Sequence, residues 1–467
     1  MNPHLKRDQE NLRKILQQAL AEADRFLQSV NQRSPGTDPT LMEPLTLPEA
    51  GVGTEQALAR FNERYSQTLT GSAGPRYFGF VTGGATPASL LGDWLVSAFD
   101  QNAAGFDSPA ALVETETIQF LKQLFDLPDT FSGAFVTGAT VSNFVGLAIG
   151  RQWLGRQHGR DVAGDGWAGL PPLKVLSGTP HSSVFKALAM LGLGRNNLEK
   201  LPCLPEREAV DVAALRRRLS ELEGEPCLVV ANAGTVNTVD FDDLRQIAGL
   251  KAEFDFWLHV DGAFGGFAAV SPRYQHLVAG LEQADSLTID AHKWLNVPYD
   301  AAMIFTRHKN LQLEVFQDRA VYLGELTANP DFFHLVPENS RRFRALPAWF
   351  TLMAYGRAGH QEIVERNCEL ARQLGEKIET SSEFVLLAPT RMNVVCFTLA
   401  VSPESLSMAL IDAFLAKLRD DGRAFLTRTN YKGTPAIRAA ISNWRTTTED
   451  IDIAWQALQD VVGRFSR

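Results

Sequence analysis

Three short runs, Leu228-Val229-Val230-Ala231, Phe256-Trp257-Leu258-His259-Val260 and Ala302-Met303-Ile304-Phe305, are apolar almost end to end and show no polar alternation. A strand can dispense with a polar face only if both of its faces are covered, as in a parallel sheet flanked by helices. From about Ser132 such runs alternate with helical ones, which predicts an α/β domain around a mostly parallel sheet. Past Trp349 the pattern becomes a long helical run through Ile378, a strand at Val394 to Leu399, a helix from Ser405 to Asp420, a strand at Ile437 to Ile441 and a last helix. That describes a smaller α+β unit. Ahead of the sheet, Leu5, Leu12, Ile15, Leu16, Leu20, Ala23 and Leu27 recur at a helical period, so a helix from Leu5 to Val30 needs a surface to cover it. Further helices are predicted at Glu55 to Thr68 and Pro87 to Phe99. The expected division is an N-terminal helical segment over 1–75, a large α/β domain over 76–348 and a small C-terminal domain over 349–467.

A chain of 467 residues suits two or three packed units, and a charged fraction of 21% with 45% hydrophobic residues excludes disorder as its main character. A net charge of -9 argues against a general nucleic-acid surface, leaving small-molecule chemistry as the expectation. The four cysteines, Cys203, Cys227, Cys368 and Cys396, lie too far apart for a zinc motif or a disulfide framework and read as core thiols in a reducing compartment. Neither a signal-peptide core nor a run of about 18 apolar residues is present, so a cytoplasmic location without a membrane span is expected.

Four motifs carry chemistry. Lys293 ends the run Ser286-Leu287-Thr288-Ile289-Asp290-Ala291-His292 and is followed by Trp294. A lysine placed there by a rigid apolar element can lose its proton and bond a carbonyl, as a pyridoxal phosphate (PLP) lysine must. The turn Thr137-Gly138-Ala139-Thr140-Val141-Ser142-Asn143 precedes a helical run, and backbone N–H groups at a helix start suit a phosphate. In His259-Val260-Asp261, the aspartate ends a buried strand, where a carboxylate can hold a pyridine nitrogen protonated. His181, in Pro180-His181-Ser182-Ser183, opens a helix and offers an imidazole to stack on a cofactor ring. Each has a plainer reading: Thr140 or Ser142 as a helix cap, Asp261 and His181 as caps of turns, Lys293 as a surface charge.

Together these motifs resemble the group II PLP-dependent amino acid decarboxylases, the family of the aromatic-L-amino-acid, histidine, glutamate and diaminobutyrate enzymes. The resemblance spans nearly the whole chain, through Pro75-Arg76-Tyr77-Phe78-Gly79-Phe80, Ser108-Pro109-Ala110, the Thr137 to Asn143 turn, His181-Ser182-Ser183, Gly234-Thr235, His259-Val260-Asp261, His292-Lys293-Trp294 and Arg341-Arg342-Phe343-Arg344. It implies an aspartate aminotransferase-like fold (fold type I), PLP as cofactor and an intertwined homodimer in which the N-terminal helix packs on the second subunit. It further implies Lys293 as the Schiff-base lysine, Asp261 as partner of the pyridine nitrogen and His181 as the stacking imidazole. Ala139 and Thr140 would bind phosphate, Thr235 and His292 would lie near the cofactor and the substrate carboxylate, and Ala263 would pack on the opposite ring face. Asp290 stands where several relatives carry Asn close to the phosphate. The implied reaction is decarboxylation of an L-amino acid to an amine and CO2.

Two features depart from the family or leave alternatives open. Asp331-Phe332-Phe333-His334 matches a loop element whose tyrosine returns a proton to the α-carbon, and Phe332 cannot do so. Loss of that tyrosine opens an oxidative outcome giving aldehyde, ammonia and hydrogen peroxide, unless His334, Tyr322 or Lys293 supplies the proton. For the substrate, Tyr77, Phe78 and Phe80, with Phe99 and Phe106 from the other subunit, suggest an aromatic wall, while Arg76 leaves acidic amino acids open. A non-catalytic PLP-fold binding protein, and an aminotransferase using Arg438 to bind carboxylate, complete the alternatives.

Overall fold

The computed structural model describes residues 1–38, 43–105, 108–318 and 330–465. Seven strands form the main sheet: β1 (Ser132–Val136), β2 (Val175–Ser177), β3 (Leu198–Lys200), β4 (Cys227–Asn232), β5 (Phe256–Asp261), β6 (Ser286–Asp290) and β7 (Ala302–Thr306). Their order is β1-β7-β6-β5-β4-β2-β3. Strands β3, β2, β4, β5 and β6 run parallel, whereas β7 is antiparallel to both β6 and β1. Two of the three apolar runs are therefore parallel as expected, and Ala302–Phe305 is not. It follows β6 after a short connection rather than a helical crossover, and only an antiparallel neighbour can be reached that way. Every residue of β4 to β7 is buried, with one apolar core on each face of the sheet.

A second, antiparallel sheet contains β8 (Phe384–Leu386), β9 (Val394–Leu399), β10 (Thr427–Tyr431) and β11 (Thr434–Ala440) in the order β10-β11-β9-β8. Its core includes residues of the helices Met408–Asp421 and Thr448–Phe465. The helix Ala345–Glu379 links the two sheets and changes direction at Gly356, whose φ of 58° is one that a side chain would oppose. Phe78 belongs to this second core, not to a substrate wall: its N–H donates to Phe425 O, its carbonyl accepts from Ala440 N–H, and it is 1% exposed. Pairing of its backbone with the small sheet draws the ring inside. Arg76 is likewise committed, to Asp450 at 2.7 Å and to Arg423 O, and is not free for an acidic substrate.

The predicted N-terminal helix is two, Pro3–Glu10 and Leu12–Ser29, broken where Asn11 turns its side-chain amide back to Arg7 O. Neither buries a residue, and Leu5, Leu12, Leu16 and Leu20 are each more than half exposed. Among the described residues no helix is long and apolar enough to cross a membrane.

Arg341 pins the chain after the large sheet to the sheet itself. Its guanidinium grips Glu114, on the helix Ala110–Leu124, through two bonds of 2.7 and 2.9 Å, and also donates to Ala103 O and Phe135 O. Both charges are fully buried. The ring of Phe332 lies 5.1 Å from the guanidinium carbon and is buried in the core. A buried pair of this kind costs little while intact, but losing one member strands the other charge. Arg341→Ala should therefore lower stability by roughly 3–5 kcal/mol in urea unfolding, and Arg341→Met combined with Glu114→Gln should recover much of that loss.

Candidate active site

Strands that run parallel end together. The C-terminal ends of β2, β4, β5 and β6 lie at one edge of the sheet, and β1 joins them, because Val136 and Asp290 both sit opposite Ala302. In open α/β sheets, ligands bind at this edge. Each strand end delivers something: the turn Thr137-Gly138 after β1, His181 after β2, Thr235 after β4, Asp261 on β5, and Asp290 on β6. A one-turn helix, Ala291–Trp294, follows β6 and carries His292 and Lys293. Of these, His181, Thr235, Asp261, His292 and Lys293 line a cavity of about 430 Å³ together with Ala263, whereas Gly138, Ala139, Thr140 and Asp290 are not in its lining. That volume is in the range of small-molecule sites.

Asp261 is 6% exposed, and both its oxygens accept hydrogen bonds, Oδ2 from Asn143 Nδ2 at 2.9 Å and Oδ1 from Ala263 N–H at 3.2 Å. Lys293 Nζ stands 3.6 Å from Asp290 Oδ2 and 5.6 Å from the centre of the Phe264 ring. Asp290 is also 3.1 Å from His292 Nδ1. Burial pushes the Asp290 carboxyl above the usual range, with Lys293 and His292 pulling against it. His181, open to the cleft but otherwise enclosed, has its pKa lowered by burial, with Asp261 opposing. Thr235 gives its hydroxyl proton to the buried Glu208 at 2.6 Å, an acid that also accepts from Thr238 and Asn237.

The helix Ala139–Gln157 starts at Gly138 without a side-chain cap. Ser142 is no cap: its hydroxyl donates to Met303 O and meets Thr288. Val141 and Ser142 return their N–H groups to Gly138 O, while those of Ala139, which faces Asp290, and of Thr140 have no acceptor within the helix. A side chain at Gly138 would meet only His292, at 3.5 Å. A buried carboxylate, an imidazole and a lysine around one cavity, with an uncapped helix start beside His292 at the same sheet edge, fit the ring nitrogen, ring face, aldehyde and phosphate of PLP.

Among the described residues of the proposed aromatic wall, only Phe80 lines the cavity. Tyr77 stacks on Phe425 at 4.9 Å, and Phe99 ends the helix Pro87–Phe99 exposed and outside the cleft. His334 is buried against Phe333 and accepts from Asp318 N–H. Phe106 and Tyr322 fall outside the described residues. Sequence reasoning overlooked Tyr299, whose ring, largely open to solvent, lies 4.6 Å from His292 at the cavity wall. It named Arg438 only as an alternative. The structure puts that side chain in the lining, 6% exposed, bonded to Val236 O and Gly79 O and without a carboxylate partner among the described residues. Asn143, Ser183 and Glu208 were also missed. A histidine in a strand covered on both faces, His259, was the available sign that polar partners lie behind the cleft.

The pyridoxal-dependent decarboxylase conserved domain matches residues 40–400. An aromatic-L-amino-acid decarboxylase of Bacillus atrophaeus is 29% identical over 87% of this chain and 85% of its own length. A phenylacetaldehyde synthase of Petunia hybrida is 26% identical over 84% and 81%. Among solved structures, Oryza sativa TDC with PLP and tryptamine superposes with a TM-score of 0.90 at 22% identity, covering 98% of this chain and 99% of that one.

His259 is fully buried, and burial lowers its pKa to about 4 against the opposing charge of Asp261. The unfolded chain takes up a proton there below about pH 6.5. Stability from this group is therefore complete above that value and is lost as pH falls toward about 4. His360, also lowered to about 4 by burial, adds a second such proton. His259→Gln should thus make the melting temperature fall less steeply between pH 6.5 and 4, as followed by calorimetry.

Proposed function

The chain belongs to the pyridoxal-dependent decarboxylases, PLP-dependent carboxy-lyases of amino acids, and from that premise we propose that it converts an aromatic L-amino acid to its amine and CO2. Its fold is the aspartate aminotransferase-like fold type I, a mostly parallel sheet with a smaller antiparallel one. The observation that carries the reading is the meeting of Lys293, Asp261 and His181 around one cavity at the sheet edge. A binding protein without catalysis would not need all three.

In this reading Lys293 holds PLP covalently through its amine. The N–H groups of Ala139 and Thr140 take the phosphate, with Asp290 beside them, and Asp261 takes the ring nitrogen. His181 covers one ring face and Ala263 the other. When bound, PLP supplies a protonated ring that accepts the electron pair released from the bond to the departing carboxylate. Arg438 binds the substrate carboxylate, and Thr235 and His292 border the same space. Phe80 and Tyr299 provide an aromatic wall, which supports an aromatic side chain, as do relatives named for aromatic amino acids. The proton that replaces CO2 comes from Lys293 or His181, both at the cavity.

A phenylacetaldehyde synthase among the relatives supports a second reading, oxidative deamination to an aldehyde, ammonia and hydrogen peroxide. The exposed apolar residues of the helices Pro3–Glu10 and Leu12–Ser29 support a homodimer in which segment 1–75 packs on the partner, beside domains at 76–348 and 349–467. Four free cysteines support a cytoplasmic setting.

A product balance tests the chemistry. Purified protein with PLP and a panel of aromatic and acidic L-amino acids in air should yield amine equal to CO2 with aromatic substrates, and Lys293→Ala should abolish the yield. Ammonia and peroxide equal to CO2 would replace the first reading with the second.

A further inference from the structure

Behind the cleft, a chain of buried hydrogen bonds runs through groups that the reaction itself does not touch to Asp261 and His181, which face the cavity. Trp257 Nε1 lies 3.0 Å from Ser286 Oγ, which lies 2.8 Å from His259 Nδ1. His259 Nε2 is 2.9 Å from Asn143 Oδ1. Asn143 Nδ2 then branches, to Asp261 Oδ2 at 2.9 Å and to Ser183 Oγ at 3.0 Å, and Ser183 Oγ is 2.7 Å from His181 Nδ1. Trp257, Ser286, His259, Asn143 and Ser183 are all buried, so water does not compete for these bonds.

The protons along this chain have one consistent arrangement. An indole N–H only donates, so Ser286 accepts from Trp257 and gives its own proton to His259 Nδ1. A neutral His259 then carries its proton on Nε2 and donates it to Asn143 Oδ1. The asparagine amide must face Asp261, because its carbonyl would repel the carboxylate, so Nδ2 donates to both Asp261 and Ser183. Ser183 in turn gives its proton to His181 Nδ1, which also accepts the Ser183 N–H at 3.2 Å. His181 is left with its proton on Nε2. The packing is built around this path: a Cβ at Gly146 would stand 2.6 Å from the His259 ring, so only glycine lets the helix Ala139–Gln157 come close enough.

We propose that Asn143 and Ser183, supplied by Trp257, Ser286 and His259, are positioning residues that fix His181 as the neutral Nε2–H tautomer and keep both Asp261 oxygens as acceptors before any cofactor arrives. The inference rests on the reading of the cleft as a PLP site for its purpose, but not for its geometry. Besides Asp261, the charged groups that act on His181 are Lys293, Arg438 and Asp290, and none of them replaces the bond to Nδ1.

The test uses the full chain freed of PLP and labelled with ¹⁵N at histidine. Two-bond ¹H–¹⁵N spectra near neutral pH should show both His181 and His259 protonated on Nε2 alone. Ser183→Ala leaves only the longer backbone bond to Nδ1, so the second tautomer of His181 should become populated and the PLP dissociation constant should rise about three- to tenfold. Ser183→Thr should restore both. Ser286→Ala, far from the cleft, should mix the tautomers of His259. A charged or Nδ1-protonated His181 in the unsubstituted chain, or an unchanged His181 in Ser183→Ala, overturns the proposal. If the unsubstituted chain shows the expected tautomers but does not bind PLP, the cofactor reading fails while the positioning role stands.

Discussion

A carboxylate at the end of a strand covered on both faces has to be given donors from within the protein, because water cannot reach it. Asp261 sets that requirement, and much of the large domain answers it. Asn143 must come within hydrogen-bonding distance, which fixes the depth of the helix Ala139–Gln157 over the sheet. That depth in turn requires Gly146 beneath His259 and leaves the first turn of the helix uncapped at the cleft. The helix start that suits a phosphate and the donor that serves the carboxylate are thus two ends of one packing solution.

The charges at the cleft differ in how they are balanced. Asp261 has neutral donors, Asp290 has cations nearby, and Arg438 has only carbonyl oxygens. Burial lowers the Arg438 pKa to about 10, so the side chain remains a cation at neutral pH, and no carboxylate among the described residues meets it. A buried cation of this sort is expensive to maintain unless an anionic ligand relieves it. Elsewhere, with Glu114 and Arg341, the same cost is met by an internal partner.

Much of this was legible in the sequence where local pattern and tertiary structure agree. The helix Pro87–Phe99 and the strand Val394–Leu399 follow the predicted bounds, and six of the motif residues meet at one cavity. What the pattern could not show was which surface an apolar residue faces. Ala302–Phe305 looks like its parallel neighbours because burial on both faces removes the alternation in either direction. Phe78 and Phe80 share a motif, yet one ring enters the small core and the other lines the cleft, since the backbone of Phe78 pairs with strands distant in sequence. Tyr299 escaped notice because it lies in a connection without periodicity, and Glu208 because a lone acid in a loop gives no sign that threonines will surround it.

The entry of Phe78 into the small core has a kinetic side. Arg438 and Gly79 are bonded across 359 positions of sequence, and the small sheet is not complete until that early segment is laid against it. Contacts of such separation give no return until the intervening chain is closed, so they form late and slowly. The strands of the small sheet pair with one another over far shorter separations, so that sheet can gather before the early segment reaches it. Refolding should then be paced by the docking of that segment, and until that step the apolar groups of β9 and β11 that it covers stay open to association with other chains.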